Sequence, residues 1–109
     1  MDLYEQIQKL MGELDQSIKQ LARNGEALAE SERDYKLILT KKALELKANG
    51  TAVTFISLTI HGMPDVANAR FKRDVAEANY KANQEHINIT KLKLKLLEAQ
   101  LGREWGRNE

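Results

Sequence analysis

Large residues recur at every seventh position in two segments of this chain, a spacing that lets two helices pack along one shared seam. The stripe in the first segment is Ile7, Leu14, Leu21, Leu28 and Tyr35, and the stripe in the second is Tyr80, Ile87, Leu94 and Leu101. If the chain folds back near residue 57, the stripes align. The aligned pairs are Tyr35 with Tyr80, Leu28 with Ile87, Leu21 with Leu94, and Leu14 with Leu101. The pattern therefore predicts an all-α fold built as a long, coiled-coil-like antiparallel helical hairpin.

The first predicted helix carries recognisable signals at both ends. Asp2 and Glu5 have the spacing of a capping box. In this motif the Asp2 side chain accepts a hydrogen bond from an early backbone amide of the helix, while the Glu5 side chain reaches back to the start of the helix. Asn49-Gly50 is a C-terminal signal, because both residues tolerate the left-handed conformation that ends many helices. We therefore predict a helix over about residues 2–48.

The segment between the stripes differs from the rest of the chain. Six of the ten residues in 51–60 are β-branched, so this stretch alone has strand character. Pro64 follows, and Asp65 is a suitable N-cap for a new helix. We predict a short connecting loop over 50–64 and a second helix over about 65–105. For residues 51–60 the sequence leaves strand, short helix and irregular loop as alternatives.

A chain of 109 residues is predicted to form one domain, 1–109. Apolar side chains off the main stripe widen the apolar face of the second helix, and such a helix generally has more than one neighbour. These side chains are Phe71, Val75, Ile89, Leu92 and Leu96. Self-association into a dimer or a larger bundle is therefore expected. The alternatives are a third contact made by residues 51–60, or two opened chains that pair end to end.

Charge is distributed unevenly along the sequence. Residues 1–35 carry four basic and eight acidic side chains, whereas residues 36–73 carry seven basic and two acidic ones. In a hairpin the loop end would be positive, which favours an acidic protein partner or nucleic acid. The basic residues predicted to bind a partner are Lys41, Lys42, Lys47, Arg70, Lys72 and Arg73. Nucleic acid is disfavoured, because the net charge is only +1 and no nucleic-acid-binding signature is present.

The apolar residues of the predicted loop are the other candidate partner-binding site. They are Val53, Phe55, Ile56, Leu58 and Ile60. If exposed, they would form a hot-spot patch on a basic stalk. If buried, they would close the end of the bundle.

Residues suited to catalysis or metal binding do not cluster in this sequence. Cysteine is absent, and the two histidines, His61 and His86, lack a second histidine at helical ligand spacing. Carboxylate pairs such as Glu30 with Asp34 lie on predicted solvated faces, without the apolar pocket that raises a catalytic pKa. We predict no enzymatic activity and no cofactor. With no signal peptide or apolar run of membrane-spanning length, we expect a cytoplasmic protein with no membrane contact.

The second half of the chain, about residues 66–106, resembles small helical proteins of phages and prophages of Gram-positive bacteria. The segments 71–78, 96–101 and 103–106 carry the resemblance. It implies an accessory role such as assembly, replication support or inhibition of a host protein, in the cytoplasm of the bacterial host.

The sequence thus predicts a non-enzymatic protein-binding module that associates with itself and sterically blocks a host protein, such as a defence or nucleic-acid-processing complex. One alternative is a structural or chaperone-like coiled-coil subunit. Another is a nucleic-acid-binding accessory protein that uses the basic loop end.

Overall fold

Two long helices joined by a short helical connection make up the protein in a computed structural model. The structure describes residues 2–108, with side chains over 2–106, so the termini of the predicted 1–109 domain lie outside the described residues. Helix α1 is Leu3–Ala48, α2 is Val53–Thr59 and α3 is Pro64–Asn108, with a 3-10 turn at Ile60–Gly62. The all-α hairpin class is confirmed.

The ends of α1 form as the sequence predicts. The backbone amide of Glu5 donates to Asp2 Oδ1 at 2.8 Å. At the other end Gly50 has φ of +83°. Its amide donates to Lys47 O at 3.0 Å, and the amide of Thr51 donates to Leu46 O at 3.0 Å. This pair of bonds is the Schellman motif, which satisfies carbonyls that the helix leaves without partners.

The connection predicted over 50–64 is helical between Val53 and Gly62, so of the conformations left open for residues 51–60 the structure has a short helix. Two side-chain hydroxyls form hydrogen bonds to backbone carbonyls within α2: Ser57 Oγ donates to Val53 O, and Thr59 Oγ1 donates to Phe55 O. Ile56 and Ile60, one helical turn apart, both face inward. Packing of this turn thus outweighs the β-branched composition of the segment.

Contacts between Cα atoms divide the chain into two compact units, one of Asn24–Tyr80 and one of the residues before Asn24 and after Tyr80. In the Asn24–Tyr80 unit the core consists of Tyr35, Ile60, Val66 and Ala69. Packed against it are Ile38, Leu39, Ala43, Ile56 and Met63. The core of this unit therefore includes the connection as well as the long helices.

Register in the Asn24–Tyr80 unit differs from the prediction. The Tyr35 ring lies under the Arg73 guanidinium, 4.8 Å from Cζ to the ring centroid. Tyr80 lies beside Gly25, where an added Cβ would be 3.5 Å from Tyr80 Cε2. The predicted pairing of Tyr35 with Tyr80 is therefore wrong. Asp65, the expected N-cap of the second helix, lies inside it because α3 begins at Pro64. Asp65 pairs with Lys42 at 3.4 Å, so α1 continues past the start of α3.

The other unit buries Ile7, Ile87, Leu94 and the hydroxyl-bearing Thr90. Its half-buried positions include polar residues as well as leucines. Ser17 Oγ and His86 Nδ1 are 2.7 Å apart, and Asn83 Nδ2 donates to Ser17 O at 3.0 Å. Ser17 thus faces His86, and the predicted pairing of Leu14 with Leu101 and Leu21 with Leu94 in this unit is displaced as well.

Candidate protein-binding surface

Helix α2 exposes three large apolar side chains, Val53, Phe55 and Leu58, which together we call the α2 face. These side chains are 68%, 57% and 83% exposed. The helix is anchored through Ile56 and, just beyond its end, Ile60, because Ile60 is buried in the core and Ile56 packs against it. The structure therefore separates the five apolar residues predicted to bind a partner into three that are exposed and two that are committed to packing.

The basic residues predicted to bind a partner also fall into two groups. Lys41, Lys47, Arg70 and Lys72 are exposed. Lys42 pairs with both Asp65 and Glu45 at 3.4 Å, and these hydrogen bonds, led by that of Asp65, raise the pKa of Lys42 above its ordinary value. Lys42 is therefore engaged within the fold.

Arg73 is the second basic residue that the fold engages. Its Nη2 atom lies 2.8 Å from Asp74 Oδ1, and this bond raises the pKa of the guanidinium further. The planar face of Arg73 covers the ring of Tyr35, a cation–π arrangement that holds the side chain in place. Arg73 thus supports the seam of its unit, a role that its charge alone did not indicate.

An open groove of about 670 Å³ runs between α1 and α3 in the Asn24–Tyr80 unit. Its residues are Ala27, Glu30, Ser31, Asp34, Leu37, Ile38, Lys41, Lys42, Asp65, Asn68, Ala69 and Lys72. Leu37 is 62% exposed at its edge. This groove could not be predicted from the sequence, because Leu37 lies outside the seven-residue stripe and the lining residues come from distant parts of the chain.

Each of the two histidines lies beside a hydroxyl group. His61 Nδ1 lies 3.4 Å from the Tyr35 hydroxyl, and His86 Nδ1 contacts Ser17 Oγ. Among the described residues, the hydrogen bonds of His86 include no orienting carboxylate, and Ser17 does not line the groove between α1 and α3. The arrangement matches a polar layer in a helical seam better than an activated nucleophile.

All nine predicted seam residues are buried or half-buried. Ile7, Tyr35, Ile87 and Leu94 are buried. The other five predicted positions are half-buried: Leu14, Leu21, Leu28, Tyr80 and Leu101. Polar side chains at seven-residue spacing on each long helix are also half-buried or buried: Ser17, Asn24 and Ser31 on α1, and Asn83 and Thr90 on α3. Apolar periodicity could not predict these buried positions because their side chains are polar.

Among residues 2–106 no group of three or more histidine, aspartate and glutamate side chains is placed to hold a metal ion. No helix in the described chain has both the length and the apolar character needed to cross a membrane. Comparison of the sequence and structure with protein-family models, curated proteins and solved structures gives no match.

Proposed function

We propose that this protein is a non-enzymatic protein-binding module, a phage accessory protein that associates with itself and blocks a host protein sterically through the α2 face. The observation that carries the proposal is the exposure of Val53, Phe55 and Leu58 on a short helix that Ile56 and the adjoining Ile60 fix to the core. Exposed large apolar side chains on an anchored element are typical of an interaction hot spot.

Exposed basic side chains favour a partner with acidic groups around an apolar pocket. Lys47 and Arg70 are exposed in the same unit as the α2 face, and neither forms an ion pair with another described residue. Such charges would raise the rate of association with an acidic surface more than the final affinity. Binding of this kind should therefore weaken in salt without being abolished.

The experiment compares tagged wild-type protein with a Phe55→Asp, Leu58→Asp variant in capture from a Gram-positive bacterial lysate, followed by direct binding to each purified candidate. The matched control is Leu92→Asp, Leu96→Asp, because these leucines are 56% and 61% exposed on α3. The proposal expects the control to retain the partner and the α2 variant to lose it. Equal capture by both variants would refute a binding role for the α2 face.

A structural or chaperone-like subunit is the second candidate, because exposed apolar residues also recur away from α2. Tyr4, Met11 and Ile18 follow one another at seven-residue spacing on α1 and are 65%, 52% and 48% exposed. For this candidate, loss of assembly rather than loss of a foreign partner would follow from Asp substitutions at these positions. A nucleic-acid accessory role would instead show a steep salt dependence in a gel shift.

A further inference from the structure

We propose that a second copy of this chain docks in the groove between α1 and α3, with its own α1 antiparallel to the first and a two-fold axis between Leu37 and Ile38. The proposal concerns the Asn24–Tyr80 unit. It rests on the self-association included in the proposed function and is independent of any foreign partner.

Apolar side chains of α1 at the edge of the groove are left uncovered by the chain itself. Within the groove Ser31 and Ile38 are half-buried and Ala69 is buried. Leu37 stands at the edge of the groove with 62% exposure, and Leu44 follows seven residues later on the same side of α1 with 63% exposure. Two antiparallel helices with such uncovered apolar side chains provide the surface on which further helices of a bundle pack.

Charges along α1 are arranged so that the groove complements itself when reversed. Glu30 and Asp34 precede Leu37 in the groove, and Lys41 follows it. Lys42 is occupied by Asp65 and Glu45, whereas Lys41 forms no ion pair with another described residue. Asp34 contacts only Arg33, at 3.4 Å between two exposed side chains. Along α1 the groove is therefore acidic before Leu37 and basic after it, whereas α3 adds Lys72 and the Asp65 that pairs with Lys42.

This polarity identifies the occupant as a second copy. In a two-fold interface residue i meets residue j, and j meets i. With the axis between Leu37 and Ile38, Asp34 meets Lys41 of the second copy, and the same contact repeats on the other side of the axis. The axis also brings Glu30 to Glu45 of the second copy, where the Lys42 that pairs with Glu45 at 3.4 Å offsets the like charges. Leu37 then packs against Leu37 and Ile38 of the second copy. A parallel arrangement would place Asp34 against its own equivalent, which like-charge repulsion disfavours.

Charge exchange tests the pairing directly. We expect Asp34→Lys and Lys41→Glu each to weaken dimerisation, on the order of 10-fold or more, as measured by sedimentation equilibrium. Mixing the two variants should restore dimers, because the introduced lysine of one chain then meets the introduced glutamate of the other, while the unchanged Lys41 meets the unchanged Asp34. The double variant Asp34→Lys, Lys41→Glu should also dimerise.

Lys36→Glu is the matched control, since Lys36 is exposed, lies outside the groove and undergoes the same change in charge. It should dimerise like the wild type, and circular dichroism should show unchanged helix content in all variants. A dimeric wild type that charge reversal leaves unchanged, or a mixture that fails to recover, would overturn the groove interface alone. A wild type monomeric at every concentration would overturn self-association as well, whereas capture through the α2 face would be unaffected.

Discussion

Isoleucine and leucine two residues apart have opposite roles in the connection. Ile60 is 5% exposed within the core of its unit, and Leu58 is 83% exposed on α2. Ile60→Ala should lower the free energy of unfolding by about 2–5 kcal/mol, because it leaves a cavity among packed side chains. Leu58→Ala should change it by no more than about 0.5 kcal/mol. Urea unfolding followed by circular dichroism measures both, and equal effects would contradict the assignment of the two faces.

Lys42 gives the Asn24–Tyr80 unit a specific dependence on alkaline pH. Hydrogen bonds to Asp65 and Glu45 raise its pKa in the folded protein above the ordinary value of 10.5. A raised lysine pKa stabilises the folded state fully below the unfolded-state value, and this stabilisation is lost as the pH rises through the folded-state value. The loss therefore begins only above about pH 10.

Comparison of urea midpoints at about pH 9 and about pH 12 tests this contribution. Lys42→Met should lose less stability over that interval than the wild type, since the group that titrates is absent. Lys36→Met is the control and should follow the wild type, because Lys36 is exposed and forms no ion pair with another described residue. Identical pH dependence in all three proteins would rule out a stabilising role for the Lys42 contacts.

The end of α1 depends on a backbone conformation that few residues adopt. Gly50 has φ of +83°, a region that costs an ordinary L-residue roughly 1–2 kcal/mol. Gly50→Ala should therefore lower the free energy of unfolding by about 1 kcal/mol, although an added Cβ would meet no atom within 4 Å. Gly12→Ala is the matched control in the interior of α1, also with open space around it, and should raise that energy by up to about 1 kcal/mol. Thermal unfolding of both variants tests the contrast, which a stabilising Gly50→Ala would refute.

Helix boundaries were predictable from the sequence because their signals are local. The Asp2 cap and the Gly50 terminus each depend on a few adjacent residues, and the structure has both. Register was not predictable in the same way. A seven-residue repeat looks the same after a shift of seven residues, so the stripes alone could not choose between Tyr80 and Arg73 as the neighbour of Tyr35. The choice depends on how the connection packs, which is a tertiary property.

For the candidate surface, too, some features were predictable from neighbouring residues in the sequence, whereas others depend on tertiary packing. Composition identified residues 51–60 as unusual, yet it could not show that a helix would turn Ile56 and Ile60 inward and leave Phe55 outside. Charge counting placed Lys42 and Lys41 together, although the first is occupied by Asp65 and the second is free of ion pairs among the described residues. Neighbours in sequence acquire different roles because helix geometry points them in different directions.

At the scale of the whole molecule, nearly balanced charge sets the kind of partner that the protein can bind. The net charge is +1, and of the basic residues predicted to bind a partner only Lys41, Lys47, Arg70 and Lys72 are exposed. Binding to nucleic acid draws most of its affinity from neutralised phosphates. We therefore expect apolar contacts, through the proposed α2 face and the proposed groove interface, to contribute more to recognition than charge.

These two surfaces share no residue, so their functions should be separable. The Phe55→Asp, Leu58→Asp variant is expected to keep the molecular mass of the wild type in light scattering while losing its partner, because neither residue lines the groove. Asp34→Lys should show the reverse behaviour, a lower mass with the partner retained. Combining the changes should add the two losses, as distant and independent sites do. If the α2 variant instead became monomeric with intact helix content, the α2 face would belong to the assembly, and the structural-subunit function would replace the blocking one.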